Sequence, residues 1–283
     1  MSAAAHPSRA GQGAPRPGGL RRLAHDAAPW ILPTIPFAAL VLIWLVGWQI
    51  AQPNLATLPS IGQVWETVTR LSANGELWSN IGASLGRWTL GFVVGVVTGM
   101  ALGVLAGLVP LVARLLEPPA TFFTAMSGIV WLPLAIVWFG LGTVTVTFVI
   151  WNSVFFLVFA NTLLGVRSAQ PVFEDAVRTL GGGRAHVVMR VIVPGAMPHI
   201  LSGVRSGAGF AWRALIAAEI IGATTGLGAM IYKAKEFFRS DVIVAGVIVI
   251  AVIGLLIDML ILAPIERRTI ERWGLVTSDR GPA

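Results

Sequence analysis

The sequence predicts an all-α, polytopic membrane protein with six transmembrane helices. Three observations carry that expectation. The 283 residues are 55% hydrophobic and only 12% charged, with a mean hydropathy of +0.79; a soluble domain carries about 25% charge, and this composition could not cover a water-facing surface. Six apolar runs have the length that a helix needs to cross about 30 Å of hydrocarbon, roughly 20 residues at about 1.5 Å per residue. Basic residues, finally, fall unevenly between those runs.

The expected spans are residues 30–51, 82–108, 121–139, 144–164, 200–221 and 242–263. Pro133 should kink or break the third, because proline removes a backbone donor and clashes with the preceding turn. With the N-terminus inside, thirteen arginines lie on the cytoplasmic side, Arg167, Arg178, Arg184 and Arg190 among them. Only Arg70, Lys233, Lys235 and Arg239 lie outside. That asymmetry places both termini in the cytoplasm of a bacterial inner membrane. Residues 1–29, rich in Gly, Pro, Ala and Arg, read as a disordered basic head. Residues 30–265 read as the membrane domain and 266–283 as a cytoplasmic tail. A cleaved signal peptide is the rival reading of the N-terminal region; the apolar stretch is too long for one and lacks a clean small-residue cleavage site.

Composition excludes several chemistries. There are no cysteines, hence no disulfide, thiol nucleophile or thiolate metal site. His6, His25, His186 and His199 show no HExxH spacing, so no metal site is expected. The net charge of +7 sits between apolar runs, a topology signal and not a nucleic-acid footprint. The outer loops are short, the longest being about 52–80 with one amphipathic stretch, IGQVWETVTRL.

Within the spans, Gly91, Gly95, Gly99, Gly103 and Gly107 recur every fourth residue, and Gly203 and Gly207 repeat the spacing. Tight helix packing is the first explanation, a sliding surface the second. Charges inside spans are functional candidates by default. Arg205 and Glu219 lie near opposite ends of the fifth span, close enough to a membrane surface to reach out to it. Arg213 lies deeper. It is six positions from Glu219, so the two point to different faces at about 100° per residue. Either Arg213 meets a partner on another helix, with Asp258, Asn152 and Asn161 as candidates, or it faces a water-filled path for an anion. Arg213, Glu219 and Asn152 are therefore the candidates for a translocation path.

One segment breaks the apolar pattern: FEDAVRTLGGGRAHVVMRVIVP, residues 173–194. Val172, Phe173, Ala176, Val177 and Leu180 fall at helical spacing opposite Glu174, Asp175 and Arg178, a short amphipathic helix after Pro171. Gly181, Gly182 and Gly183 end it and permit a sharp turn. A second short helix should run on to Pro194. The segment is either an interfacial helix on the inner leaflet or a knob seated in the groove of a cytoplasmic partner.

This segment resembles the signature cytoplasmic loop of ABC importer permeases, Glu-Ala-Ala followed by Gly and then by Ile-x-Leu-Pro. Asp175, Ala176 and Val177 stand at the Glu-Ala-Ala positions, with Glu174 beside the aspartate. Gly181 stands at the glycine, and Val191, Val193 and Pro194 at the ending. LPSIGQVWETV, WLPLAIVWFGLG, AWRALIAAEIIGATTGLGAMI and ERRTIERWGLV are similar to the nitrate/sulfonate/taurine branch. The resemblance implies a type I importer permease fold, with residues 167–197 as a coupling loop gripped by separate ABC ATPase subunits. It further implies a permease homodimer and an extracytoplasmic solute-binding protein, with ATP and Mg held by the partner ATPase. The solute would be a small anion such as nitrate, taurine or another sulfonate.

Two residue-level features agree. No GxxxxGK[ST] loop occurs, so this chain has no ATP cradle and is not expected to be an enzyme or to hold a cofactor. The outer loops are too small to capture a dilute solute. An ion-coupled secondary transporter is the alternative, but it wants matched broken helices in two halves, and only Pro133 marks a break. An intramembrane hydrolase finds no GxSxG element.

Overall fold

The computed structural model describes residues 35–50, 58–169 and 171–264, and every regular element among them is helical. The chain divides into an N-terminal unit, Met1–Leu58, and a body, Pro59–Ala283. The first unit contributes α1, Ile35–Ile50, a helix of 16 residues that is apolar but for Gln49. The rest of the first expected span, the basic head and the C-terminal tail lie outside the described residues.

The body opens with α2 (Ile61–Ala73), started by a capping box in which Ser60 and Gln63 satisfy each other's backbone donors. It continues through α3 (Glu76–Leu108), α4 (Pro110–Ala125), a short 3-10 helix (Gly128–Trp131), α5 (Leu132–Phe139) and α6 (Thr143–Arg167). The polar α7 (Pro171–Thr179) leads into α8 (Arg184–Gly222), followed by α9 (Leu227–Glu236) and α10 (Ser240–Ile257). α3, α6, α8 and α10 are long and apolar enough to cross a membrane; α4 and α5 add a fifth crossing if the bent pair forms one span. The first expected span is represented only by the shorter α1.

α6 is the axle of the body. It is packed by α3 on one side and α8 on the other, and it carries the fully buried Val146, Val149, Ile150, Val154 and Val158. Lipid gives no hydrophobic drive between helices, so close approach of backbones must hold them together. The α3 glycines supply it. A Cβ built on Gly91 or Gly95 would lie 2.7–2.8 Å from Ile150 or Val154, on Gly99 2.7 Å from the Phe155 carbonyl, and on Gly103 2.6 Å from Thr162. The packing reading of the stripe holds. Gly203 repeats the device against Asn161 on the other face of α6.

Two expectations need correction. The third span does not break at Pro133. It breaks at Met126–Ser127, with a bend of 94° between α4 and the following pair. Pro133 sits in the first turn of α5, where its missing N–H costs no helical hydrogen bond. Nor does the second polar helix stop at Pro194: α8 runs unbroken for 39 residues. A π-turn over Val188–Ile192 lets Val193 N–H reach back to the Val188 carbonyl just before the proline. The widened turn thus absorbs a residue that would otherwise kink the rod.

Gly103→Val tests the packing. The added branch has nowhere to go between α3 and α6, so destabilisation of about 1–3 kcal/mol is expected, read as a lower melting temperature of the purified protein in detergent. Gly86→Ala, with open space around the glycine, should not lower the melting temperature and should raise it slightly, because alanine favours helix over glycine by about 0.5–1 kcal/mol.

Candidate functional site

The polar residues of the body gather in three places. The first is a buried ionic cluster at the α8–α9 turn. Glu219 has no exposed surface, and the Arg87 side chain is 7% exposed. Arg87 Nη1 donates to Glu219 Oε1 at 2.7 Å and to the Thr225 carbonyl at 2.6 Å. Its Nη2 donates to Thr225 Oγ1 and its Nε to Thr143 Oγ1. The Ser84 hydroxyl lies 2.8–2.9 Å from both carboxylate oxygens, and Gly228 N–H donates to Oε2 at 3.0 Å. The loop closes over the pair: Gly226, at φ +115, would drive a Cβ into the carboxylate, so no other residue fits there.

Glu219 therefore does not reach the membrane surface as expected from its place near a span end. Its charge is fully matched inside the protein, and this cluster welds α3, α6, α8 and α9 together. Arg87 and Ser84 were not singled out from the sequence. The available signal was complementarity, a lone arginine in one span and a lone glutamate in another.

The second place is a cavity of about 400 Å³ at the α4 break. Residues 123–129 wall one side, and Asn152, Ser153 and Phe156 of α6 and Phe210 and Arg213 of α8 complete it. Arg213 and Asn152, both expected as path candidates, are brought together here; Glu219 is not. The Arg213 guanidinium lies 5.6 Å from the centre of the Phe210 ring, an arrangement that holds a cation without neutralising it. Among the described residues no carboxylate pairs with it; Asp258 instead lies 3.8 Å from Arg205. Asn152 is 7% exposed, yet its amide makes no hydrogen bond among the described residues. Asn161, the other expected partner, donates to the Leu157 carbonyl of its own helix. The Phe123 and Phe156 rings lie 5.0 Å apart and form an apolar wall. Gly128 presses on Ser153, whose hydroxyl occupies the space a Cβ would need. An amide and a guanidinium, both without partners among the described residues, and a broken helix line one cavity, a setting for an anion with an apolar body.

The third place is the polar segment. α7 has no buried residue, and Val172, Phe173 and Leu180 are exposed. Asp175 and Ala176 are exposed, Glu174 and Val177 half-buried. Glu174 lies 3.8 Å from Arg178. The helix ends in a Schellman turn: Gly182 N–H reaches the Val177 carbonyl, Gly181 N–H the Arg178 carbonyl, and Gly181 takes φ +81. Behind it Val187, Ile192, Ala196 and Ile200 pack with Val166 of α6 and with Val104 and Leu108 of α3. Val191, Val193 and Pro194 are half-buried beside that cluster. An apolar knuckle thus stands on a cluster shared by α3, α6 and α8.

This fold, with its exposed knuckle and buried polar cavity, defines an importer permease. The chain belongs to the family of binding-protein-dependent transport system inner-membrane components, whose model matches residues 95–269. It is 36% identical over 234 residues to the taurine transport system permease protein TauC of Escherichia coli (strain K12), covering 80% of this chain and 85% of the relative. It is 32% identical over 258 residues to the bicarbonate transport system permease protein CmpB of Synechococcus elongatus, covering 86% and 91%. A putative aliphatic sulfonates permease, SsuC of Bacillus subtilis, is 31% identical over 229 residues, covering 81% and 83%. Among solved structures, an amino acid ABC transporter aligns at TM-score 0.59 and 18% identity over 71% of this chain and 97% of that one. The methionine transporter MetNI aligns at 0.53 and 18% over 74% and 99%. The fold is therefore that of ABC importer permeases, and the protein is a multi-pass permease component of such an importer.

Removing one member of the enclosed ion pair should be worse than removing both. Glu219→Ala or Arg87→Ala alone leaves a buried charge without its partner, at about 3–5 kcal/mol. The double variant should recover a sizeable part, measured as a double-mutant cycle on unfolding of the detergent-purified protein.

Proposed function

We propose that this protein forms the translocation path for a small organic anion of the sulfonate or carboxylate type, and that a separate ATPase drives it through α7. The observation that carries the reading is the cavity lined by both Arg213 and Asn152, neither of which has a carboxylate or hydrogen-bond partner among the described residues. The relatives support an anionic solute: their names specify taurine, aliphatic sulfonates and bicarbonate. The largely apolar wall around Arg213 favours an anion with carbon attached over a bare inorganic one.

In the mechanism that follows, an extracytoplasmic binding protein delivers the solute to a pair of these permeases. The Arg213 guanidinium attracts the acid group and the Asn152 amide orients it. ATP and Mg in the partner ATPase close its two halves, and the halves carry α7 with them. The hinge is the Schellman turn at Gly181. Glu174 and Asp175 face the partner, while Val177 and the cluster of Val187 and Ile192 pass displacement to α3, α6 and α8. The bundle then exposes the cavity to alternate sides. In this reading α7 and both termini lie in the cytoplasm.

Uptake of radiolabelled taurine by cells carrying the full transporter tests the path. Arg213→Gln should lower uptake at limiting solute by about tenfold, equivalent to about 1.4 kcal/mol, with the complex still assembled. Normal uptake in that variant removes Arg213 from the path. Gly181→Trp forces a side chain into a left-handed backbone and should leave insertion intact while ATP hydrolysis no longer yields uptake. Affinity purification of the chain should bring an ATPase with it. Transport without one would favour an ion-coupled carrier.

A further inference from the structure

The Arg213 cavity is adjoined by a second, about 530 Å³, and the two share Thr124 and Ala125 on α4. The second follows the α4–α6 seam to the end of α6, past Ala120, Thr121, Ala160 and Leu163. At that end Arg167 grips Glu117 with both terminal nitrogens, at 2.8 and 3.0 Å. Together the two cavities are lined by two cations, Arg213 in one and Arg167 in the other, and one anion, Glu117. The walls between are alanine, threonine and apolar side chains.

We propose that Arg167 is a second anion station, which the solute occupies on its way from Arg213 to the coupling-loop side. The proposal rests on the reading of the Arg213 cavity as the path. A small sulfonate or carboxylate leaving Arg213 enters a stretch lined by alanine, threonine and apolar side chains, in which another positive charge holds it far better than a hydroxyl. Arg167 is that charge. While Glu117 is bound to it the station is neutral. Both partners of the pair are nearly half exposed, so water and an incoming anion compete with it readily. Once the solute displaces Glu117, the freed carboxylate repels it and promotes departure, which keeps the station weak enough to leave. Arg167 closes α6 four residues before α7 begins at Pro171, so movement of the coupling helix alters the grip on Glu117.

The chain has no cysteine, which makes a direct test available. Ala160→Cys in the second cavity and Leu157→Cys in the first are introduced separately into the assembled transporter in membranes. Each is labelled with the anionic sulfonatoethyl methanethiosulfonate and with its trimethylammonium counterpart. In the Ala160→Cys protein the anionic reagent should be preferred; adding Arg167→Gln should cut that preference by about tenfold, Arg167→Lys should keep it, and Glu117→Gln should raise it. An unchanged preference in Arg167→Gln and Glu117→Gln overturns the station. So does loss of labelling by both reagents in the two variants alike, which makes the pair a strut. Arg213→Gln reports separately: it should lower the preference in the Leu157→Cys protein and not in the Ala160→Cys protein. Failure in the first-cavity reporter alone sinks the reading of that cavity, and failure in the second-cavity reporter alone sinks only the second station.

Discussion

The body depends on the contact between α3 and α6. In a bilayer two apolar helices gain nothing by hiding from the solvent, because the solvent is as apolar as they are. What remains is dispersion at short range, and that requires bare backbone on one partner. Four of the five α3 glycines are buried against α6. Once α6 is held so closely, its opposite face is fixed for α8, and the two meet there through Gly165 of α6 and Gly203 of α8. Everything else in the body, including the cavity at Asn152 and the cluster beneath α7, is positioned from this axle.

A second constraint operates at the α8–α9 turn. Two opposite charges that would each be costly in hydrocarbon are matched to each other, to hydroxyls and to backbone groups, so that hydrogen-bonding capacity is largely used. The matched pair takes Glu219 out of the candidate path. It also leaves Arg213, on the same helix but another face, as the one cation lining the cavity at the α4 break. The division of labour on α8 follows from helical geometry: six residues at about 100° each turn the two side chains apart.

Much of this was legible from residue order. Apolar runs placed the membrane-crossing cores of four long helices, and the exposed amphipathic segment with its glycines read correctly as a helix and a turn. The family followed from the same segment with its flanking motifs. The break in the third span was misplaced because proline is a strong local signal, yet its cost vanishes in a first helical turn; the actual break has no proline at all. Pro194 misled in the same manner, since a π-turn absorbs it. Glu219 was read by its distance from the helix end, and only the fold reveals the arginine on another helix that waits for it. Cavities share this limit. Asn152 and Phe156 lie more than fifty residues before Phe210 and Arg213, and nothing local announces that the two pairs converge.

The continuity of α8 has a consequence of its own. Thirty-nine residues of continuous helix, carried through a π-turn and Pro198, reach up to about 58 Å, nearly twice the thickness of the hydrocarbon layer. Pivoted where it crosses α6, such a rod behaves as a lever, and a tilt of about 5° moves one end by about 5 Å relative to the other. Its far end is not free: the Gly222 carbonyl accepts from Gly142 N–H at 2.7 Å, at the turn entering α6. A displacement applied at the Arg184 end of the helix would therefore be felt at its other end as a sideways pull on that turn.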